Sequence, residues 1–225
     1  FCERYLPEWF PLAWSESHLL AIDRLEAAIL RGDQFALAMP RGSGKTTLCR
    51  AAILWAMLYG HSPYSVLIHA TEKASERALK AIQTTLRFSR RFADDWPLMI
   101  EPIRLLAGDP RKALAQTLDG EPTNIVWTAE RIVMPSIKGE IAAEAVIECA
   151  GITGEIRGKQ HVRINGDIVR PAVAVVDDPQ TRRSARSEAD VRSRLDAIQG
   201  DIGYLAGPGR SNGVVVPCTV IRRGD

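Results

Sequence analysis

Two clusters of residues in this sequence have the types and spacing to do chemistry. The first is Met39-Pro40-Arg41-Gly42-Ser43-Gly44-Lys45-Thr46-Thr47. Gly42 and Gly44 let a turn of backbone approach a ligand without side-chain clash, Lys45 can reach the outer phosphates of a nucleotide, and the Thr46 hydroxyl can ligate magnesium. Backbone N–H groups and a helix N-terminus that converge on such a turn favour an anion, and phosphate is the natural occupant. Met39 stands where the pattern G-x-x-x-x-G-K-[ST] has its first glycine, and Arg41 is an unusual addition inside the loop. The second cluster is Asp177-Asp178. Hydrolysis at a phosphate loop needs one carboxylate to hold magnesium and a second group to orient or deprotonate the attacking water. Successive strand residues point to opposite faces, so two aspartates at a strand end can divide these tasks, Asp177 toward the metal and Asp178 toward the water.

Both clusters need elements to position them. Phe35 to Met39 is apolar throughout and too short for a helix, as a strand buried on both faces would be. Thr46 to Tyr59 reads as the helix that follows the loop, ended by Gly60 and Pro63. Before them, Leu19, Ile22, Leu25, Ala28 and Ile29 recur at helical spacing in Ser17 to Arg31, with Gly32 as a stop signal. Ser65 to Ala70 is a second buried strand, with Thr71 as N-cap of a helix through about Arg90. Short strands are expected at Asn124 to Thr128, Arg131 to Met134 and Ala145 to Cys149, and Asn165-Gly166 marks a tight hairpin in Val162 to Val169. Ala172 to Val176 is the strand that delivers the aspartate pair. Ser184 to Leu205 reads as helical and Gly213 to Ile221 as a last strand. The alternation predicts an α/β fold with a mostly parallel central sheet flanked by helices.

The chain has 225 residues, 46% hydrophobic and 25% charged, enough to bury a full core. We read one domain with insertions. A net charge of +2 excludes a uniformly basic nucleic-acid coat, so any such contact is local. Cys2, Cys49, Cys149 and Cys218 are far apart and form no C-x-x-C pair, which argues against a zinc site or a disulfide scaffold and for a reducing, cytosolic setting. No run approaches the ~18 apolar residues that span a bilayer, and the N-terminus lacks signal-peptide organisation. A chain that starts at Phe1 and stops at Arg222-Arg223-Gly224-Asp225, just after a strand-like run, reads as an excised piece of a longer protein.

The loop from Met39 to Thr47, bearing arginine and lacking the first glycine, resembles the Walker A loop of the large terminase subunits of tailed bacteriophages. In the same order, Gly151-Ile152-Thr153-Gly154-Glu155-Ile156-Arg157-Gly158 resembles the family's arginine-glycine segment, Arg170 to Asp178 its Walker B strand, and Val214-Val215-Val216-Pro217-Cys218-Thr219 its coupling motif. The resemblance runs from about Phe10 to the end of the chain. It implies a RecA-type, additional-strand P-loop ATPase, the N-terminal motor domain over residues 1–225, that uses ATP and Mg2+ to drive double-stranded DNA into a procapsid. It further implies a homo-oligomeric ring on the procapsid, portal protein and small terminase subunit as partners, and a place in the host cell cytoplasm and transiently at the portal vertex.

By the resemblance, Pro40 to Thr47 bind nucleotide, Lys45 and Arg41 act on its phosphates, Thr46 and Asp177 hold the metal, and Asp178 serves the attacking water. Arg157 is the candidate arginine finger, which would complete a neighbouring subunit's site and can be worth ~10³ or more in rate. His18, in the segment Phe10 to His18, could take the polar role beside adenine or be ordinary core and cap, Thr219 could sense the γ-phosphate and couple it to movement or be only a strand-end hydroxyl, and Arg157 could instead hold a structural salt bridge. The family commonly has Asp-Glu where this chain has Asp177-Asp178, so the reach lost with one methylene must come from backbone position or a second water. The family's nuclease domain would follow the coupling motif and is absent from this chain, so this piece should not cut DNA. Arg182, Arg183, Arg186, Arg192 and Arg194 could track a phosphate backbone or face the next subunit, or be a solvated helix face. A helicase or other DNA-remodelling P-loop ATPase would share the loop and the carboxylates, and an adaptor could hold ATP without turning it over.

Overall fold

The computed structural model describes residues 1–219. A single turn, α1 (Cys2–Tyr5), precedes α2 (Glu16–Arg31), which Ser15 caps and which Gly32 ends in the left-handed region at φ 77°. There follow β1 (Gln34–Ala38), α3 (Lys45–Leu58), β2 (Tyr64–His69), α4 (Glu72–Phe88), α5 (Arg90–Asp95) and α6 (Pro97–Leu105). Short strands come next: β3 (Thr117–Leu118), β4 (Glu121–Pro122), β5 (Val126–Trp127) and β6 (Arg131–Val133). The longer β7 (Val146–Gly151) leads through β8 (His161–Val162) and β9 (Ile168–Val169) to β10 (Val173–Asp177), α7 (Glu188–Asp196) and β11 (Gly213–Cys218).

Seven strands form one sheet in the order β1-β11-β10-β2-β7-β6-β5. The first five run parallel and β6 and β5 are antiparallel, so the fold is α/β with a mostly parallel central sheet flanked by helices. All residues of β2 and β10 are buried, as the continuous apolar runs require of strands covered on both faces. Side chains of β2, β7, β10 and β11 alternate between two clusters. Leu67, Ile147, Cys149, Val175 and Val215 pack with α2, α3, α4 and α6 on one face. Val66, Ile68, Val146, Ala174, Val176 and Val214 face the other way, against Ile152, Ile156, Ile202 and Leu205. The loop-following helix therefore lies on the first face. Among the described residues no helix is long and apolar enough to cross a membrane.

Several boundaries differ from expectation for identifiable reasons. The helix expected to reach Arg90 ends at Phe88, because Ser89 turns extended and its hydroxyl accepts from Phe92 N at 3.3 Å, starting α5. Helix α6 occupies a stretch where the sequence showed little pattern. Its Pro97 stands at the first turn, where the missing N–H costs nothing, and Pro102 is tolerated inside. Ser184 to Leu205 is not one helix. It breaks into the 3-10 turn Ser184–Arg186, α7 capped by Ser187, the π-helical Ala197–Asp201 and a second 3-10 turn Ile202–Tyr204. Helix α7 buries no residue, so nothing on its surface demands a continuous apolar stripe. The Asn165-Gly166 hairpin is present between β8 and β9. Strand β11 ends at Cys218, and the expectation of strand at positions 220 and 221 lies outside the described residues.

Candidate nucleotide site

Strand β1 delivers the loop and α3 opens at Lys45, so the glycine-rich run lies between a strand and a helix. Gly42 and Gly44 have φ of 83° and 80°, a conformation that disfavours any residue with a Cβ. A Cβ built on either would meet nothing within 4 Å, so the space above both is open. Ser43 N donates to Pro40 O at 3.2 Å, which closes the turn. Met39 explains the missing first glycine: its side chain is buried in the core and its N–H donates to Cys218 O at 3.4 Å, extending the ladder between β1 and β11. No close approach there asks for a glycine.

Among the described residues, three side-chain hydrogen bonds tie the loop to its surroundings. Thr46 Oγ1 donates to Asp177 Oδ1 at 3.1 Å, joining the loop helix to the end of β10. Lys45, 5% exposed, donates from Nζ to Thr219 Oγ1 at 2.7 Å, just beyond β11. His18 Nε2 lies 2.7 Å from Ser43 O, and its Nδ1 is engaged by Ser15 in the capping box of α2. Pro40 and Arg41 are exposed, Thr47 is half-buried, and Arg41 has no ion-pair partner among the described residues.

The two aspartates do diverge. Asp177 is buried and faces α3, whereas Asp178 is exposed, with φ at 42° and its N–H donating to Pro217 O at 2.9 Å. That left-handed backbone is uncommon outside glycine, and aspartate is among the residues that accept it. Burial pushes the Asp177 carboxyl up to about 6, opposed by the Thr46 hydrogen bond and by Arg50 and Lys45 and reinforced by Asp178. His69, the register partner of Asp177 on β2, places Nδ1 at 3.9 Å from Asp177 Oδ2. Burial first, then the Arg50 charge, push His69 down to about 4, so at neutral pH the imidazole is uncharged and Asp177 is ionised.

His69 and Arg50 were not singled out from the sequence. The signal that finds His69 is the pairing of β2 with β10, which brings His69 beside Asp177 across a long separation, whereas Arg50 lies on α3 one turn after Thr46. Arg157 is not brought to the loop. It projects from the segment after β7, with its side chain 82% exposed and its guanidinium on Asp201 at 2.5 Å, beside the cluster on the sheet face opposite α3. Of the other arginines, Arg182, Arg183, Arg186 and Arg192 are exposed, and Arg194 donates to Pro179 O.

The residues present fit a magnesium nucleotide. Adjacent ligands of an octahedral magnesium at 2.0–2.1 Å lie about 2.9 Å apart, close to the 3.1 Å between Thr46 Oγ1 and Asp177 Oδ1. The Ser43 hydroxyl is buried in the loop without a hydrogen-bond partner among the described residues, an unmet polar group of the kind a ligand satisfies.

Burying these groups affects stability with opposite signs. Asp177 ordinarily titrates near 3.8 and in the fold near 6, so between these values the native state holds a proton that the unfolded chain has lost. Stability from this group therefore falls as pH rises through that window, by about 2–3 kcal/mol. His69, moved from 6.5 to about 4, does the reverse, since there the unfolded chain holds the extra proton. In metal-free protein, Asp177→Asn is expected to gain stability relative to wild type as pH is raised from 4 to 7, by about 2 kcal/mol. Urea unfolding at the two ends of the range checks this; an unchanged difference would mean that Asp177 is not held protonated.

No protein-family model matches the chain, and no curated protein matches it.

Proposed function

We propose that this chain hydrolyses ATP at the Met39–Thr47 loop and is the motor domain of a DNA-packaging machine of the large terminase kind. The observation that carries the reading is the Thr46 to Asp177 hydrogen bond at 3.1 Å, made across a sheet in which β11 stands between the loop strand and the carboxylate strand. One additional strand at that place is what the RecA-type reading expects, and it supports that reading. Magnesium held by Thr46 and Asp177 would supply positive charge to the phosphates.

Around it each residue has a task. The N–H groups at the start of α3 receive phosphate oxygens, and Lys45 leaves Thr219 to meet the outer phosphate. Asp178, exposed just past the C-terminal end of β10, orients the attacking water and takes its proton. Its left-handed backbone turns the Cα–Cβ bond away from the strand direction, which supports the view that backbone position makes up for the missing methylene. Thr219 is released when Lys45 moves, and β11 carries that change between β1 and β10. Arg41, without an ion-pair partner among the described residues, faces solvent beside the phosphates.

Arg157 lies away from the loop of its own chain, so a role on nucleotide requires another subunit's site. Such a finger must first leave Asp201. The reading predicts phosphate release that rises faster than protein concentration, is lost in Arg157→Ala and in Lys45→Ala, and returns on mixing the two variants. Failure of the mixture to regain activity, with each variant folded, would assign Arg157 to the Asp201 ion pair alone. Packaging is tested by adding the protein to procapsids and double-stranded DNA with ATP. DNA left sensitive to nuclease would count against the packaging role while leaving the ATPase intact.

A further inference from the structure

His18 occupies the third helical position of α2. Its N–H donates to Ser15 Oγ at 3.4 Å, and Ser15 N donates to its Nδ1 at 3.3 Å, which closes a capping box. Glutamate or glutamine commonly fills this place, because either can accept that N–H. Histidine does something further. Its Nε2 reaches Ser43 O at 2.7 Å, and a carbonyl only accepts, so Nε2 carries the proton. Nδ1 is then the acceptor for Ser15, and both contacts require the same neutral tautomer. The ring is propped edge-on by Trp14, at 6.0 Å and 72°, and Trp14 Nε1 donates to Glu3 Oε1 at 2.8 Å.

The Ser43–Gly44 peptide is trans and planar, so its C=O and N–H point in opposite directions. Holding the Ser43 carbonyl toward His18 aims the Gly44 N–H to the opposite side. Gly44 is the N-cap of α3, and the N–H groups there have no partner within the helix.

We propose that His18 is a positioning residue of the phosphate loop rather than a reader of the base: it fixes the Ser43–Gly44 peptide so that the Gly44 N–H joins the phosphate-facing set. The proposal rests on the reading of this loop as a nucleotide site. It also replaces the adenine role assigned to His18 by resemblance, since both ring nitrogens are already engaged within the chain.

The test is the affinity of the full chain, with magnesium, for ATP, GTP and inorganic triphosphate, in wild type, His18→Ala, His18→Gln and His18→Glu. His18→Ala should weaken all three by about the same factor, on the order of tenfold for one aligned hydrogen bond. His18→Gln, whose amide both accepts and donates, should recover most of the loss. His18→Glu keeps the capping box and the thermal stability but cannot donate to Ser43 O, so it should bind as weakly as His18→Ala. Loss of ATP binding alone with triphosphate unchanged would overturn the proposal in favour of base recognition. A His18→Glu variant that binds all three like wild type would overturn it in favour of a helix cap only. Wild-type protein that binds none of the three would overturn the nucleotide reading and this proposal with it.

Discussion

Lys45→Ala is expected to lower ATP turnover by a factor on the order of 10²–10³, the range for removing one fixed donor from developing transition-state charge. Lys45 is a buried cation, 5% exposed, whose ammonium donates to one side chain among the described residues, Thr219 Oγ1. A buried lysine is uncommon unless something pairs with it, and the chain provides no carboxylate within ion-pair distance among the described residues. Nucleotide phosphate fills that role in our reading. Alanine removes a charge that costs free energy to bury, so the variant should melt no lower than wild type while its turnover collapses. Phosphate release under saturating ATP, with a thermal melt of the same sample, checks both halves. Full turnover in the folded variant would move the chemistry away from this loop.

Asp178→Asn is expected to separate binding from hydrolysis. Asparagine has the same shape and tolerates the left-handed backbone at φ 42°, so the exposed turn and the Pro217 contact should persist. It cannot take a proton from water. Turnover should fall by roughly 10²–10⁴, the range for a positioned general base, while ATP affinity stays within a few-fold of wild type. Equal losses of affinity and turnover would instead place Asp178 among the metal ligands. The contrast with Asp177 is physical: that carboxylate is buried against Thr46 and His69, and its removal should act first on the magnesium requirement.

The parts of the site that are local in sequence were legible. The loop, its strand and its helix were legible in Phe35 to Tyr59 because an unbroken apolar run marks the strand and the glycines mark the turn, but β1 is not buried on both faces as that run implied: it is the edge strand of the sheet and its residues alternate between exposed and half-buried. Asp177 and Asp178 were legible for the same reason, lying directly after Val173 to Val176. What was hidden depends on strand order and on competing caps. Nothing near His69 announces that β2 pairs with β10, and nothing near Thr219 announces that β11 lies against β1. His18 was noticed because the segment Phe10 to His18 resembles the one that related motors place against adenine, but its partners are Ser15 and a loop carbonyl. Pro97 and Pro102 masked α6, where one proline starts the helix and the other sits within it. Ser187 splits the expected helix after Ser184 by capping α7 through its hydroxyl.

The loop, the carboxylate strand and the strand between them form one site only if a single magnesium nucleotide touches all three. A crystal structure of the protein with a non-hydrolysable ATP analogue and magnesium tests this most directly. Our account predicts the outer phosphates on the N–H groups of Gly42 to Thr46, magnesium between Thr46 and Asp177, and Lys45 withdrawn from Thr219. Nucleotide bound elsewhere, or bound with the Lys45 to Thr219 contact intact, would contradict it.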